Sequence, residues 1–594
     1  MRQFAKLLLT SFLLPTFATA EQTADQFEPE LAGAGQVATT PESQAAEVAK
    51  LAGVPIEAQG WMISAAHPLA VEAGAEILRS GGTAADAMVA VQVVLGLVEP
   101  QSSGLGGGAF LVWYDGESGE LTTLDGRETA PLAATPTLFQ DEAGEPLAFY
   151  DAVVGGRSVG TPGTVALLET AHQKWGTAEW PTLFVNGIAL AENGFAVGPR
   201  LAKLIEGDAD RLSRFQTTRD YFVPDGVVPQ VGHILTNPEY AETLKEIAGH
   251  GAGAFYTGEI AEDIVETVLT APGNPGVLST LDLAIYQVKE RAPVCSDYRG
   301  YQICGMGPPS SGALTVGQIL GVLENFDLAA LGPDDPQSWR LIGDATRLGF
   351  ADRGRYMADS DFVPVPTKGL LDPAYLAERA ELLKRDTTLE QALPGAPEFD
   401  HALNWADDIS IELPSTSHIS IVDQYGNALS MTTTIENAFG SRLMVRGFLL
   451  NNELTDFSFL THDEGRPIAN AIAPGKRPRS SMAPTIVLKD GKPVLVVGSP
   501  GGSRIISYVT KAIIAHLDWG MDVQEAASFP NMINRFGVYD LEAGTAAEEL
   551  AQDLQAMGFA TENKDMTSGV HAISINETLL GGADPRREGI ALGN

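Results

Sequence analysis

The sequence offers no position at which the chain could be divided into separate domains. Between residues 60 and 594, no run of Ser, Pro or Gly is long enough to act as a linker, and no internal repeat is visible. Helix-like segments dominate the first part of this stretch, and short apolar segments with tight turns become dense after residue 410. This organisation predicts one large α/β body rather than a series of independent domains.

The overall charge excludes one class of partner. The chain has 76 Asp and Glu residues against 38 Lys and Arg residues, which gives a formal net charge of −38. A protein that binds nucleic acid needs a basic surface for the phosphates, and no stretch clusters enough Lys or Arg to form one. We therefore expect no nucleic-acid partner, and an anionic substrate would need a local cation in its site.

The first 20 residues are typical of a cleavable export signal. Two basic residues precede a short apolar run, Leu7 to Leu14, and small residues surround a cleavage position after Ala20. The apolar run is far shorter than the roughly 20 residues that a membrane-spanning helix needs. We expect residues 1–20 to be removed, residues 21–55 to form a flexible acidic leader, and the protein to be periplasmic or secreted without membrane attachment.

Cysteine and histidine usage bears on disulfides and metals. The only two cysteines are Cys295 and Cys304. An exported protein can keep a disulfide, so they predict a local bridge, with two free buried thiols as the alternative. The nine histidines show no metal-ligand spacing, so we expect no metal and no other cofactor. His67 and His418 stand in apolar strings and are interpreted as core or hydrogen-bonding residues rather than catalytic bases.

A hairpin can be indexed in residues 416–435. Its turn centres on Tyr425, so that residue pairs lie symmetrically about this position. Continued to the open end, this register places Thr416 opposite Thr434. A one-residue change of register would turn both side chains to the other face.

A second hairpin spans residues 480–501. Its Asp-Gly turn places Ser480 opposite Gly501. Gly501 and Gly502 lie between a strand and a helix, an order that can cradle a phosphate, but the stretch lacks the Lys and Ser/Thr of a P-loop. Their backbone N–H groups at a helix start can equally hold the developing oxyanion of an acyl transfer, with a purely steric turn as the alternative.

The segment 412–441, ELPSTSHISIVDQYGNALSMTTTIENAFGS, resembles the autoprocessing junction of gamma-glutamyltranspeptidases, which are N-terminal nucleophile hydrolases. Ten further motifs match that family's pattern in order along the chain. They are GGTAADAMVA at 81–90, GLGGGAF at 104–110, DGRETAP at 125–131, FYTGEIAEDIV at 255–265, DYRGYQ at 297–302, PPSSG at 308–312, LLNNELTDFS at 449–458, GKRPRSSMAPT at 475–485, GSPGGSR at 498–504 and ADPRREG at 583–589. The resemblance implies a four-layer αββα sandwich, made as one precursor and cut into a large subunit (56–415) and a small subunit (416–594).

The resemblance also assigns catalytic residues. A threonine hydroxyl needs a base to take its proton, and the α-amine of an N-terminal threonine is such a base. Thr416 has a free amine only if the bond after Ser415 is broken, so we expect self-cleavage by attack of the Thr416 hydroxyl on the Ser415 carbonyl. Thr434 would orient this hydroxyl, and the backbone of Gly501 and Gly502 would hold the oxyanion.

A donor site follows from the same resemblance. A γ-glutamyl group needs a cation for its α-carboxylate and anions for its α-ammonium. The implied cation is Arg127, helped by Ser480 and Ser481, and the implied anions are Glu453 and Asp456. The expected donor is glutathione or a related γ-glutamyl amide, and the expected acceptors are water, an amino acid or a dipeptide.

Two departures from the family pattern affect these expectations. Glu436 stands where many members have Asn, and it adds a carboxylate near the pocket. Residues 459–475 correspond to the family's lid region, but the segment is short and contains no Tyr. An abbreviated lid leaves water access open and favours hydrolysis over transfer. The alternatives are a glutaryl or cephalosporin acylase, whose substrates lack the α-ammonium, and a catalytically silent exported binding protein.

Overall fold

The computed structural model describes residues 39–401, 404–408, 410 and 415–594. The expected signal peptide and the first part of the expected leader, residues 21–38, lie outside the described residues. Across the described ranges, no helix combines the length and the apolar composition needed to cross a membrane.

Two seven-stranded antiparallel sheets stand at the centre of the fold. Sheet A contains, in spatial order, β1 (Ile56–Ala58), β22 (Leu579–Ala583), β21 (His571–Ile575), β17 (Lys492–Gly498), β16 (Thr485–Lys489), β9 (Tyr301–Gly305) and β8 (Val294–Tyr298). Sheet B contains β23 (Ile590–Gly593), β2 (Met62–Ala65), β10 (Ser417–Val422), β11 (Ala428–Thr434), β3 (Gly108–Tyr114), β4 (Leu121–Gly126) and β7 (Lys289–Arg291). Smaller sheets are β5 (Phe195–Ala196) with β6 (Ile234–Leu235), β12 (Met444–Val445) with β13 (Phe448–Leu449), β14 (His462–Asp463) with β15 (Arg466–Pro467), and β18 (Met532–Ile533) with β19 (Val538–Glu542) and β20 (Ala560–Lys564).

Helices surround the sheets. They are α1 (Pro41–Leu51), α2 (Pro68–Arg79), α3 (Ala84–Val98), α4 (Phe149–Val153), α5 (Thr164–Trp175), α6 (Val185–Asn193), α7 (Pro199–Leu212), α8 (Gln216–Phe222), α9 (Pro238–His250), α10 (Gly253–Tyr256), α11 (Glu259–Leu269), α12 (Thr280–Ala284), α13 (Gly312–Leu323), α14 (Leu328–Leu331), α15 (Pro336–Tyr356), α16 (Thr367–Leu370), α17 (Pro373–Glu381), α18 (Ile505–Leu517), α19 (Val523–Ser528) and α20 (Ala551–Ala556).

The two sheets pack face to face, and helices cover the outer face of each. Helices α2, α3 and α5 lie on sheet B, whereas α13, α18 and α19 lie on sheet A. Apolar clusters fill both helix–sheet spaces, and a smaller cluster with Val112, Ile486 and Val496 lies between the sheets. This layering confirms the predicted αββα sandwich.

Both sheets contain strands from either side of the expected cleavage position. In sheet B, β10 and β11 lie between β2 and β3, and in sheet A the strands that follow residue 416 lie between β1 and β9. Ladder hydrogen bonds and the core therefore cross the boundary between the expected subunits. Cutting the chain before Thr416 would leave the two pieces held together.

The register of the β10–β11 hairpin follows the prediction. Ile421 pairs with Leu429 and Ser417 pairs with Thr433, so the next pair outward is Thr416 and Thr434. Ile419 and Ile421 belong to the core on the helix side of sheet B. Because side chains alternate along a strand, Thr416 points to the opposite side, toward sheet A.

The prediction for the second hairpin was wrong at its open end. The pairs near the turn have the expected register, but a bulge between Val487 and Leu488 shifts it by one residue. Pro493 stands at this point and cannot donate a ladder hydrogen bond, which accounts for the irregularity. Ser480 lies before β16 begins and forms a bridge with Ser310 instead of pairing with Gly501.

The expected flexible leader also needs correction, because residues 41–51 form helix α1. Thr40 caps the helix by accepting from the N–H of Ser43, and buried Ser43, Ala46 and Lys50 lie on one face. Lys50 donates to backbone carbonyls near the C-terminus. The buried face uses small and polar residues, so it carries no apolar pattern from which a helix could be predicted.

Cys295 on β8 lies directly opposite Cys304 on β9, and a disulfide joins them. The two strands form one edge of sheet A. The bridge closes a short loop, so its entropic contribution to stability is modest.

Candidate active site

Thr416 lies one residue before β10, at the end of the central strands of sheet B. Its hydroxyl donates a close hydrogen bond to the backbone carbonyl oxygen of Ser415. The chain is continuous through this peptide bond in the structure. The hydroxyl of Thr416 therefore contacts the carbonyl that self-cleavage would require it to attack.

Thr434 stands beside this pair of residues. Its Oγ1 lies 3.4 Å from Oγ1 of Thr416 and 3.2 Å from the carbonyl oxygen of Ser415. The N–H of Glu436 donates to the same Oγ1 at 2.8 Å. This backbone contact fixes the Thr434 hydroxyl and leaves its proton available for one of the reacting oxygens.

A glycine turn, residues 104–107, closes behind Thr434. A Cβ atom at Gly107 would lie 1.9 Å from the carbonyl oxygen of Thr434, so only glycine fits. Strand β3 begins at Gly108, which pairs with Thr434 on β11. The glycine-rich stretch is therefore a close-packing turn that lets the nucleophile hairpin join sheet B.

Gly501 and Gly502 connect β17 to α18. Both have positive φ, 139° and 56°, and a Cβ at Gly501 would lie 2.6 Å from the ring of Tyr508. A short 3₁₀ turn from Gly502 to Arg504 leads into α18, and the first N–H groups of such a start have no acceptor inside the helix. This geometry makes the turn suitable for holding an oxyanion.

Arg127 follows β4 and forms the cationic centre of the site. Its guanidinium pairs with Glu453 and Asp456 and donates to the carbonyl oxygen of Arg479 at 2.9 Å. The side chain is 1% exposed. Burial alone would lower the pKa of Arg127, but Glu453 and Asp456 together raise it, so the guanidinium stays charged.

More carboxyl groups than cations surround Arg127. Burial raises the pKa of Glu128 to about 8, against the opposing charge of Arg127. Burial also raises the pKa of Glu453, and the nearby Glu128 and Glu436 raise it further. Both carboxyl groups therefore hold a proton to higher pH than a solvent-exposed glutamate does. The cluster's excess of acid suits a ligand that carries an ammonium group.

Ser480 and Ser481 lie in the loop before β16 and are held by distant segments. The N–H of Ser480 donates to the carbonyl oxygen of Pro309, and its own carbonyl oxygen accepts from the N–H of Ser311. Arg353 on α15 donates to the hydroxyl oxygens of Ser311 at 2.9 Å and Ser481 at 2.8 Å. These contacts replace the strand pairing that the sequence predicted for Ser480.

Nine of the ten residues expected in the site line one pocket, and the exception, Gly501, directly precedes a lining residue. The nine are Arg127, Thr416, Thr434, Glu436, Glu453, Asp456, Ser480, Ser481 and Gly502. Ser415, Met482 and Ile505 complete the lining. The proposed nucleophile and the charged cluster therefore share one pocket.

Comparisons with known proteins identify the family. The sequence model of gamma-glutamyltranspeptidase matches residues 70–594. A glutathione hydrolase proenzyme from Bacillus subtilis (strain 168) is 40% identical over 546 residues, which cover 90% of this chain and 91% of the relative. The chain belongs to the gamma-glutamyltranspeptidase family. It is accordingly an enzyme of the γ-glutamyltransferase and glutathione hydrolase class.

Solved structures agree with this assignment. The crystal structure of cephalosporin acylase from Bacillus halodurans matches with a TM-score of 0.80 at 25% identity, over 91% of this chain and 97% of that chain. The Helicobacter pylori gamma-glutamyltranspeptidase matches with a TM-score of 0.55 at 38% identity, over 57% of this chain and 96% of that chain. Both the transpeptidase and the acylase reading of the sequence therefore have a structural counterpart.

In this member of the family, Glu436 marks the departure that the sequence indicated. Its carboxylate accepts from the side-chain amide of Asn452, which also donates to the hydroxyl of Thr455 at 2.9 Å. Glu436 has a positive φ of 74°, a conformation in which Asn is more common than Glu. The additional carboxylate therefore faces the pocket.

The histidines have the structural roles that the sequence predicted. His67 caps α2 by accepting from the N–H of Leu69, and burial lowers its pKa to about 3. His418 lies between the hydroxyls of Thr432 and Ser420, and burial lowers its pKa well below the usual value. Both rings stay neutral, and neither lines the pocket.

Proposed function

We propose that the chain is an exported precursor that cleaves itself between Ser415 and Thr416 and then hydrolyses γ-glutamyl amides such as glutathione. The observation that carries the proposal is the contact of the Thr416 hydroxyl with the Ser415 carbonyl, in a pocket that also holds Arg127 and its carboxylates. The relative's description as a proenzyme supports processing. The disulfide supports export, because such bonds persist in oxidising compartments.

Self-cleavage would proceed through an ester. The Thr416 oxygen attacks the Ser415 carbonyl carbon, its proton moves to the Thr416 nitrogen, and the C–N bond breaks as the acyl group shifts to oxygen. Thr434 lies close enough to orient the attacking hydroxyl. Water then hydrolyses the ester, which leaves a carboxylate on Ser415 and restores the Thr416 hydroxyl beside a free α-amine.

Turnover would reuse the same hydroxyl. The α-amine of Thr416 takes the hydroxyl proton as the oxygen attacks the γ-carbonyl carbon of the donor. Backbone N–H groups at Gly501 and Gly502 would hold the negative oxygen, and the proton passes to the departing amine. Water then releases glutamate from the ester and restores Thr416.

The charged cluster would bind the amino-acid end of the donor. Arg127 already pairs with Glu453 and Asp456, so a zwitterion can enter without a net change of charge. Its carboxylate would bind the guanidinium, and its ammonium would bind the two carboxylates. Charge-assisted bonds of this kind are strong in a buried site, which gives the enzyme a means to select α-amino acid donors.

The deciding experiment substitutes the nucleophile. Thr416→Ala should remain one polypeptide and be inactive toward a chromogenic γ-glutamyl anilide, because one hydroxyl serves both steps. Thr416→Ser keeps a hydroxyl but loses the β-methyl that restricts χ1, so it should mature slowly and retain some activity. Intact mass and Edman sequencing of the small subunit check the result, which should begin Thr-Ser-His-Ile-Ser.

A wild-type protein that is fully active while uncut, or a small subunit that begins at another residue, would contradict the mechanism. An uncut wild type with no activity would instead favour the silent binding protein. A gel and an activity assay of the purified protein distinguish the two uncut outcomes, and Edman sequencing identifies a different N-terminus.

The acylase reading is the second candidate, and the likeness to cephalosporin acylase supports it. Glutaryl and γ-glutamyl anilides differ only in the α-ammonium, so comparing them isolates the contribution of Glu453 and Asp456. We expect the γ-glutamyl anilide to have the higher kcat/KM. A preference for glutaryl anilide would favour the acylase.

A further inference from the structure

A buried network holds the two residues that follow the cleavage position, and neither Arg587 nor Glu99, its charged members, lines the pocket. Nη1 of Arg587 donates to the carbonyl oxygen of Thr416 at 3.1 Å, and Nη2 donates to the carbonyl oxygen of Thr567 at 3.1 Å. Glu99 accepts from the hydroxyl of Ser417 at 2.5 Å. Arg587 and Glu99 approach each other to 4.0 Å, and both side chains are at most 2% exposed.

Separate elements support this network. Glu99 caps the C-terminus of α3 and pairs with Arg200 on α7 at 3.1 Å. Lys50 on α1 donates to the carbonyl oxygens of Arg587 at 2.9 Å and Gly589 at 2.7 Å. Helix α1, the C-terminal end of α3 and the turn around Arg587 therefore converge on the start of the expected small subunit.

We propose that Arg587 and Glu99 are positioning residues for the nucleophile. They hold the peptide of Thr416 and Ser417 so that the Thr416 hydroxyl faces the Ser415 carbonyl before cleavage and the α-amine stays beside it afterwards. This inference rests on the proposed function of Thr416. Neither side chain touches the reacting atoms, so both act through the backbone and through Ser417.

Cleavage makes this support more important. A new N-terminal residue loses its covalent link to Ser415, and a residue that gains backbone freedom must lose it again before it can react. The charge-assisted bond from Arg587 fixes the one carbonyl that Thr416 retains, while Glu99 fixes the next side chain. An N-terminal nucleophile needs this order because its base and its hydroxyl belong to the same residue.

The test compares Arg587→Ala, Arg587→Lys and Ser417→Ala with Arg347→Ala as a matched control. Arg347 is also a largely buried arginine, but it pairs with Asp344 and lies away from the pocket. Precursor made by cell-free synthesis is followed on a gel to obtain the self-cleavage rate. Matured protein is assayed with γ-glutamyl anilide for kcat and KM, and thermal melts report stability.

Arg587→Ala should slow self-cleavage and lower kcat by about tenfold or more, because a misplaced reacting group loses its near-attack geometry. KM should stay within about twofold, since donor contacts are unchanged. Arg587→Lys should recover part of both rates, because the charge remains while the two-pronged geometry is lost. The control should melt at a lower temperature but keep wild-type rates.

An Arg587→Ala variant with wild-type cleavage rate and kcat would overturn the inference, whatever its melting temperature. If that variant does not fold, Ser417→Ala and Arg587→Lys decide, and wild-type rates in both would overturn it equally. Failure of the wild type to release a fragment beginning at Thr416 would instead overturn the proposed function.

Discussion

Two hairpins approach the pocket, and they position their chemical groups in different ways. The β10–β11 hairpin keeps one register from its turn to its open end, where Thr416 meets Thr434. The β16–β17 hairpin has a bulge near its turn, and its strands stop before Ser480 and Gly501 are reached. Backbone pairing alone can therefore place the nucleophile. It cannot place the loop before β16 that contains Ser480 and Ser481, here called the donor-binding loop.

In the second hairpin, side chains from distant segments hold the loop that strand pairing does not reach. Arg353 holds Ser481, and Arg127 donates to the backbone carbonyl oxygens of the same loop at Pro478 and Arg479. We therefore expect the two regions to serve different steps of the reaction. Changes at the first hairpin should act mainly on kcat, and changes around the loop with Ser480 and Ser481 should act on donor binding.

The largest expected effect concerns Arg127, which links the donor-binding loop to the carboxylates. Arg127→Ala leaves Glu453 and Asp456 buried without their cation and removes the partner of the donor carboxylate. It should lower kcat/KM for γ-glutamyl anilide, with a loss of transition-state stabilisation of about 2–5 kcal/mol. Arg127→Lys should recover only part, because a lysine cannot bind bidentately.

Steady-state kinetics with Arg347→Ala as the buried-arginine control would separate this effect from a general loss of stability. Equal kcat/KM in wild type and Arg127→Ala would remove Arg127 from the donor site. It would also remove the strongest reason to treat the two hairpins as serving different steps.

Thr434→Val tests the first hairpin directly. Valine keeps the β-branched shape that β11 needs but removes the hydroxyl that contacts Thr416. We expect the activation free energy to rise by about 1–3 kcal/mol, the range for losing a buried hydrogen-bonding partner. Thus kcat should fall with little change in KM. A gel time course should show slower self-cleavage as well. A raised KM with unchanged kcat would contradict the assignment of the first hairpin to the chemical step.

Arg353→Gln tests the second hairpin from a distance. The substitution removes a hydrogen bond to Ser481 without touching the nucleophile. Donor binding should therefore weaken by about 0.5–1.5 kcal/mol, the scale of a single net hydrogen bond, and KM should rise accordingly. Arg347→Gln is the control, because Arg347 lies earlier on the same helix, about 9 Å from Arg353 along the helix axis. If Arg353→Gln lowered kcat alone, the loop would serve the chemical step rather than binding.

The success of prediction from the sequence follows the same contrast. Thr416 and Thr434 were predicted correctly as a pair, because a short turn and alternating side chains fix a register that both residues inherit. Ser480 was placed wrongly because the bulge beside Pro493 shifts the register and the pairing ends at Thr485. Arg353 carries no signal in the sequence, since its contacts with Ser481 join residues 128 positions apart.

The leader shows a further limit of pattern reasoning. Helix α1 buries Ser43, Ala46 and Lys50, none of which gives an apolar stripe. Its stability comes from tertiary contacts, including those of Lys50 with the C-terminal turn. A helix that is specified by its partners rather than by its own periodicity cannot be found before those partners are known.

The smallest expected effect concerns residues 459–475, which the family resemblance assigns to the lid region. The hairpin β14–β15 is short and turns through Glu464 and Gly465, both with positive φ. Behind it, Asn470 donates to the carbonyl oxygen of Asp456 at 2.7 Å, and Lys476 donates to two backbone carbonyl oxygens of the same segment. These contacts fix the conformation of residues 469–476, so the segment is poorly suited to close over an acyl ester.

Adding glycylglycine should therefore raise the rate of anilide release by less than about twofold, because water already reaches the γ-glutamyl ester. The measurement is the initial rate across a range of glycylglycine concentrations, with glutamate and γ-glutamylglycylglycine quantified separately. Transfer requires the acceptor amine to outcompete water, and a site that cannot exclude water gives it little advantage. A several-fold stimulation with transfer product in excess would show that the short segment does exclude water, and would make this enzyme chiefly a transpeptidase.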